Sequence, residues 1–378
     1  MDKTGPSVED VVSQLKEYEF STFQLGTTCF HDKDNFIRAI TERFGATFAE
    51  KHPDLTIVLG PGTMEIVTRP LFVYGRYLKT SREIPQTRWP CRVCKGGGCP
   101  RCDGTGKMYQ ESVEEILGAP LLADTGGTGT RLHGCGREDI DARMLGSGRP
   151  FVIEVINPRC RTIDLPEITH GKADYLFLRF CEKGISRMLK SCAAFKRYRA
   201  QVTLENEVDD LHLKRVHDLC GVRIDQQTPT RVLHRRKDLK RGRAIASIVC
   251  RRRGPTELEL ELVVASGFYV KEFVSGDGGR SIPSLAETLD VGCTCSRLDV
   301  SAVFDPTLLD LIRETGESGS DPHEGAQRIG MTLSCGCNPE TQLERMFPGD
   351  ELPPVLDALS CAATADASLA LTRPDDDF

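Results

Sequence analysis

Apolar residues recur along this chain in two rhythms. Over residues 33–44 they fall at Phe36, Ile37, Ile40 and Phe44, which share one face of a helix. Around that helix, 19–26, 54–59, 64–68 and 70–77 are short strand-like runs, bounded by His52-Pro53 and Gly60-Pro61-Gly62. Residues 1–80 are therefore predicted as a small α/β unit. Residues 81–110 are rich in Pro, Gly and Cys and read as a connector. Ser112, with Glu115 three positions on, opens a helix with a capping box. Beyond it, strands are predicted at 151–156, 174–180, 197–205, 245–251, 256–264 and 267–272, and helices near 184–194 and 207–219. That order predicts an α+β domain over 111–305, built on a mixed or antiparallel sheet. Periodicity fades after residue 305, so 306–378 is expected to be an acidic, partly disordered extension.

Charge changes the picture more than bulk composition does. The net charge of −6 argues at first against a nucleic-acid partner. Residues 305–378, however, hold fifteen acids against four bases, a local net of −11, and the other 304 residues therefore carry +5. Within them, 231–253 contains ten Lys and Arg and one acid, Asp238. Such a block suits either a phosphate-contacting face or a solvated charged helix or hairpin. No apolar run approaches the roughly 18–20 residues of a membrane span. The acidic, polar start resembles neither a secretory signal nor a transit peptide, so a soluble intracellular protein is expected.

Sixteen cysteines in such a chain point to reduced thiols, some of them metal-bound. Cys91, Cys94, Cys99 and Cys102 form two CxxC pairs four residues apart, with glycines that let backbone N–H groups turn toward the thiolates. All four positions of a tetrahedral zinc site are filled. An iron–sulfur cluster, redox-active thiols and unligated cysteines are the alternatives. The halves resemble the CxxCxGxG repeats of DnaJ-type zinc modules, though here they lie closer together. The pairs Cys293/Cys295 and Cys335/Cys337 are CxC and are read as unligated.

The densest chemistry lies at 133–154, HGCGREDIDARMLGSGRPFVIE. Three acids (Glu138, Asp139, Asp141) and three arginines (Arg137, Arg143, Arg149) stand between glycines and run into an apolar strand. Carboxylates and guanidiniums on a turn anchored by a buried strand suit a reaction site, or a structural ion-pair network.

The Gly-Arg-x-Asp core resembles the catalytic loop of RNA pseudouridine synthases, and the longer string resembles their archaeal and eukaryotic tRNA branch, known as Pus ten. The likeness covers about 65–305. It implies a pseudouridine synthase-type sheet, and the strand pair ending in Gly75-Arg76-Tyr77 resembles a THUMP RNA-binding domain over 1–80. The reaction breaks an N-glycosidic bond, turns the uracil and rejoins it through carbon, with no redox cofactor or metal. It needs a carboxylate, a stacking ring for a flipped-out base, and a cation to keep the acid deprotonated.

The resemblance makes Asp139 the catalytic acid, as nucleophile or base, and Arg137 a holder of the displaced nucleotide. Tyr198, in Lys196-x-Tyr198-x-Ala200, becomes the stacking ring. In GFYVKEFVSGDGGRSIPSL, Lys271 becomes the cation and Tyr269 a base contact, both expected on one face of a strand. Leu285 matches a Leu packing on the uracil, though Phe268 stands where the family usually has Thr. The stretch 225–243 resembles the family's Gln-x-x-Pro-x-Arg-Val-x-His-Arg-Arg block, so Arg231, Arg235 and Arg236 are expected on the RNA backbone.

The expected protein is a monomeric tRNA pseudouridine synthase acting on T-loop uridines fifty-four and/or fifty-five. It would carry a structural zinc, have no membrane partner, and work in the cytoplasm, or the nucleus of a eukaryote. A non-catalytic tRNA-binding zinc protein is the main rival.

Overall fold

The computed structural model describes residues 5–28, 32–165, 167–191 and 194–304. The predicted extension 306–378 and the Cys335/Cys337 pair lie outside the described residues. The first unit contains α1 (Val8–Leu15), β1 (Thr22–Thr27), α2 (Lys33–Phe44), β2 (Thr47–Phe48), β3 (Leu55–Gly60) and β4 (Thr63–Thr68). Its sheet runs β2-β1-β3-β4, parallel except for the β3/β4 hairpin. Phe36 and Ile40 of α2 are buried with Phe23, Leu25, Ile57 and Leu59 of the sheet, on the face that the periodicity predicts.

The second unit is an eleven-stranded mixed sheet. Its elements are β5 (Leu71–Lys79), α3 (Val113–Thr125), β6 (Gly129–Gly134), β7 (Arg143–Ile156), β8 (Glu167–Ile168), β9 (Ala173–Phe180), α4 (Lys183–Ser191), β10 (Phe195–Leu204), α5 (Asp210–His217), β11 (Arg223–Gln227), β12 (Lys240–Gly254), β13 (Glu257–Val264), α6 (Val270–Ser275), β14 (Ser281–Ile282), α7 (Leu285–Leu289) and β15 (Cys293–Phe304). The strand order is β14-β11-β12-β13-β10-β15-β7-β5-β9-β8, with β6 beside β7. One apolar core lies around β5, β7 and α3, and a second around β10, β13 and helices α5–α7. Tyr198 of β10 packs against both. Among the described residues no helix is long and apolar enough to cross a membrane.

Two of the expected strands are placed differently. The strand expected at 70–77 within the N-terminal unit is β5, which pairs with β7 and β9 of the large sheet. Its residues are buried on both faces apart from the half-buried Leu78, the charged Arg76 and Lys79 included. The strand expected at 267–272 is instead a turn leading into α6. Val270, Phe273 and Val274 are buried, a helical i, i+3, i+4 spacing that overrides the alternation seen in Phe268–Lys271. Gln226 fixes the turn: its side chain accepts from the Tyr269 N–H at 2.8 Å and donates to the Tyr269 carbonyl at 2.9 Å.

Candidate active site

The segment 135–142 links β6 to β7 and turns its three acids in three directions. Gly136 (φ +80°) permits the turn: a Cβ there would lie 2.5 Å from Lys196 Nζ. Glu138 points inward. Its carboxylate is fully buried, accepts from Arg149 Nε at 2.9 Å, and accepts from the Tyr77 hydroxyl at 3.0 and 3.1 Å. Arg149 also donates to the Cys135 carbonyl at 2.6 Å, and Gln86 donates to Tyr77 Oη and to the Gly136 carbonyl. Burial and the neighbouring Glu138 charge push the Tyr77 hydroxyl well above its ordinary pKa, so it stays a donor. This buried pair, hydrogen-bonded also to Tyr77 and the Cys135 carbonyl, sets the shape of the turn.

The backbone beneath the turn is held by cations. Lys79, fully buried, donates to the carbonyls of Ile84 (3.2 Å), Asp139 (3.2 Å) and Ile140 (2.7 Å). Arg82 donates to the Asp141 carbonyl at 2.7 Å. Three successive loop carbonyls, those of Asp139, Ile140 and Asp141, thus point at two side chains from the end of β5 and just beyond it.

Asp139 faces outward, with 34% of its side chain exposed. Arg231 Nη1 lies 3.1 Å from Oδ1, and Lys271 Nζ lies 3.3 Å from Oδ2. Lys271 is shared: it donates at 2.8 Å to both oxygens of Asp141 on the rim. Burial of Lys271 opposes its charge, but the two aspartates outweigh that and raise its pKa; Asp141 is correspondingly lowered. Arg231 is anchored by Glu272, with Nε 2.7 Å from Oε1.

These groups open on a cavity of about 720 Å³. Asp139, Arg137, Tyr198, Tyr269, Lys271, Arg231, Arg235 and Arg236 all line it. The Tyr198 ring stands beside the acid, and burial pushes its hydroxyl up to about 12. Arg137 lies over the Trp89 ring at 5.4 Å, its proton affinity lowered by burial and by the like charges of Arg235 and Arg236. Leu285 is absent from the lining. It is the first residue of α7 and fully buried in the second core, whereas Leu298 of β15 borders the cavity.

A family profile described as "Pus10, C-terminal" matches residues 72–304, more than half of the chain. The chain belongs to the Pus10 family. Archaeal relatives named tRNA pseudouridine synthase Pus10 include that of Methanocaldococcus jannaschii, 40% identical over 327 residues, which cover 79% of this chain and 72% of that protein. The Archaeoglobus fulgidus relative is 38% identical over 330 residues, covering 80% and 92%, and the Methanothrix thermoacetophila relative 44% over 322 residues, covering 76% and 71%. The solved structure titled "Crystal Structure of a Cbf5-Nop10-Gar1 Complex" overlaps 57% of this chain and 55% of that one at 15% identity and a TM-score of 0.34, a likeness too distant to bear on the site.

In this Pus10-family chain the four cysteines of the connector converge. Their sulfurs lie within 4.8 Å of one another, with Sγ–Sγ separations of 3.9 Å (Cys91–Cys99), 3.8 Å (Cys94–Cys102) and 3.7 Å (Cys99–Cys102). Four sulfurs about 2.3 Å from a tetrahedral zinc stand about 3.8 Å apart, so the donor set fits that ion. The N–H groups of Gly98 and Gly106 point at Cys94 and Cys102 Sγ, each at 3.2 Å. Gly106 is needed at its place, because a Cβ there would lie 2.3 Å from the Gly96 carbonyl oxygen.

Lys79, Gln86, Glu272 and Leu298 join the site only through the fold. Lys79 carried a visible signal, a charge at the end of an apolar strand. Glu272 and Leu298 carried none, since nothing in a single sequence marks which Glu meets which Arg across the fold.

Proposed function

We propose that this chain isomerises uridine to pseudouridine in tRNA, with T-loop uridines fifty-four and/or fifty-five as targets. The observation that supports this best is the setting of Asp139. It is a part-exposed carboxylate on a rigid turn, flanked by Arg231 and Lys271, in a cavity that also presents the Tyr198 ring. A flipped-out uridine would enter that cavity and stack on Tyr198, with Tyr269 against the base and Arg137 holding the displaced nucleotide. Arg231 and Lys271 orient the two oxygens of Asp139, and this carboxylate attacks the nucleotide or removes a proton from it. The glycosidic carbon exchanges a bond to N1 of uracil for one to C5; the C5 hydrogen leaves as a proton and N1 takes up a proton, so the composition is unchanged. No electrons are gained or lost, so no redox cofactor takes part.

Arg235 and Arg236 contact the RNA backbone. The N-terminal unit, read as THUMP-like, and a zinc-bound cysteine module grip the tRNA body. The protein works as a monomer in the cytoplasm, or in the nucleus of a eukaryote. Incubation with tRNA carrying tritium at uridine C5 tests the reading. Release of tritium together with pseudouridine in the T-loop is expected, whereas none from folded, metal-replete protein would overturn it.

A further inference from the structure

We infer that Arg231 and Glu272 form a positioning pair for Asp139, and that Arg231 is not one of the phosphate-contacting arginines of the basic block. This rests on the reading of Asp139 as the reacting carboxylate. The two oxygens of Asp139 face different cations. Oδ2 faces Lys271 at 3.3 Å, but Lys271 lies nearer to Asp141, at 2.8 Å from both of its oxygens. Oδ1 faces Arg231 at 3.1 Å, closer than Lys271 comes to Asp139. Of the two cations, Lys271 is thus held mainly by the rim acid, and the direction of the Asp139 carboxylate depends on Arg231.

Arg231 has a fixed seat because Glu272 holds its Nε at 2.7 Å, leaving Nη1 to reach Asp139. The Glu272 side chain is only 8% exposed, and its second oxygen is buried with no hydrogen-bond partner. Arg231 is therefore the main compensation for a carboxylate withdrawn from water. The first turn of α6 thus supplies one cation directly, as Lys271, and seats the other through Glu272. A guanidinium shared between two carboxylates is a poor clamp for a phosphate, which would have to displace one of them. Arg235 and Arg236, in the same basic run, are exposed and form no ion pair with any described residue.

The test is steady-state pseudouridine formation by the full-length protein on a tRNA transcript, over a series of salt concentrations, for wild type, Arg231→Gln, Arg231→Lys, Glu272→Gln and Arg235→Gln. Arg231→Gln is expected to lower kcat about 100-fold, the scale set by misplacing a reacting group by about 1 Å, with KM and its salt dependence close to wild type. Glu272→Gln should lower kcat in the same manner by a smaller factor, and Arg231→Lys should recover part of the loss. Arg235→Gln should instead raise KM and flatten its salt dependence by about one released counterion. Should Arg231→Gln fail to fold, Glu272→Gln and Arg231→Lys carry the same comparison. The inference is overturned if the Arg231 variants retain kcat at saturating tRNA while KM rises and its salt dependence flattens, or if Glu272→Gln keeps wild-type kcat. Wild type that makes no pseudouridine would instead overturn the reading of the function itself.

Discussion

The Lys79 ammonium lies 2.7 Å from the Ile140 carbonyl oxygen and 3.2 Å from that of Asp139, so a buried lysine of β5 carries the backbone from which Asp139 projects. Its three protons meet three carbonyls, the third being that of Ile84. Lys79→Met would leave those acceptors without their donor, and a loss of about 2–5 kcal/mol in urea unfolding is expected. An unchanged unfolding midpoint would show the contacts to be dispensable.

The same lysine predicts a pH signature. Burial lowers its pKa from 10.5 to about 8. Between those values the unfolded chain keeps a proton that the folded protein has released. The unfolded state then binds more protons, so this group makes stability rise with pH across about 8 to 10.5. Urea midpoints for wild type and Lys79→Met across that range should differ by a positive wild-type slope; a zero or negative difference would refute the assignment.

Glu138 and Arg149 form a buried pair at 2.9 Å, completed by Tyr77. Arg149→Leu strands the Glu138 charge and should cost about 3–5 kcal/mol. Glu138→Gln keeps an acceptor for the Tyr77 hydroxyl and should cost less. Equal and small effects in denaturant titrations would mean that the pair does not hold the turn.

The cysteine cluster should carry one zinc per chain by metal analysis, and Cys91→Ser should remove it. Trp89, the single tryptophan, lies close by, edge-on to Tyr109 at a centroid distance of 5.6 Å. Chelation should therefore shift its emission to the red, and added zinc should reverse the shift. Metal-free protein with unchanged emission would contradict a structural ion.

Tyr198 is expected to act through its ring. Tyr198→Phe should retain most activity, whereas Tyr198→Ala should lose the roughly 1–3 kcal/mol of one base–aromatic stack, or about 5–150-fold. Because its hydroxyl is pushed up to about 12, no ionisation of Tyr198 should appear in rate profiles below about pH 10. A Phe variant as impaired as the Ala variant would assign the work to the hydroxyl.

Much of the frame was legible in the chain. The periodicity of 33–44, the alternating strands of the second unit and the two CxxC pairs rest on local rules that survive folding. The Gly-Arg-x-Asp spacing marked the loop, and the motif order marked Tyr198, Tyr269 and Lys271, which the fold brings to one cavity. Illegible were relations that exist only across the sheet. Leu285 and Leu298 are both buried in the second core, and only their places on α7 and β15 decide that Leu298 alone also borders the cavity. Arg231 stood in a run of like charges, and nothing local tells an arginine seated on Glu272 from one free to meet phosphate. The 267–272 stretch alternates like a strand, and its helical turn depends on Gln226, more than forty residues away.

The central claim is that the Asp139 carboxylate performs the isomerisation. A mass-spectrometric map of pseudouridine in tRNA incubated with wild type or with Asp139→Asn tests it most directly. Modified T-loop uridine with wild type is expected, and none with a variant that melts normally and still binds tRNA. Wild-type levels of pseudouridine from Asp139→Asn, or binding without modification by either protein, would contradict the account.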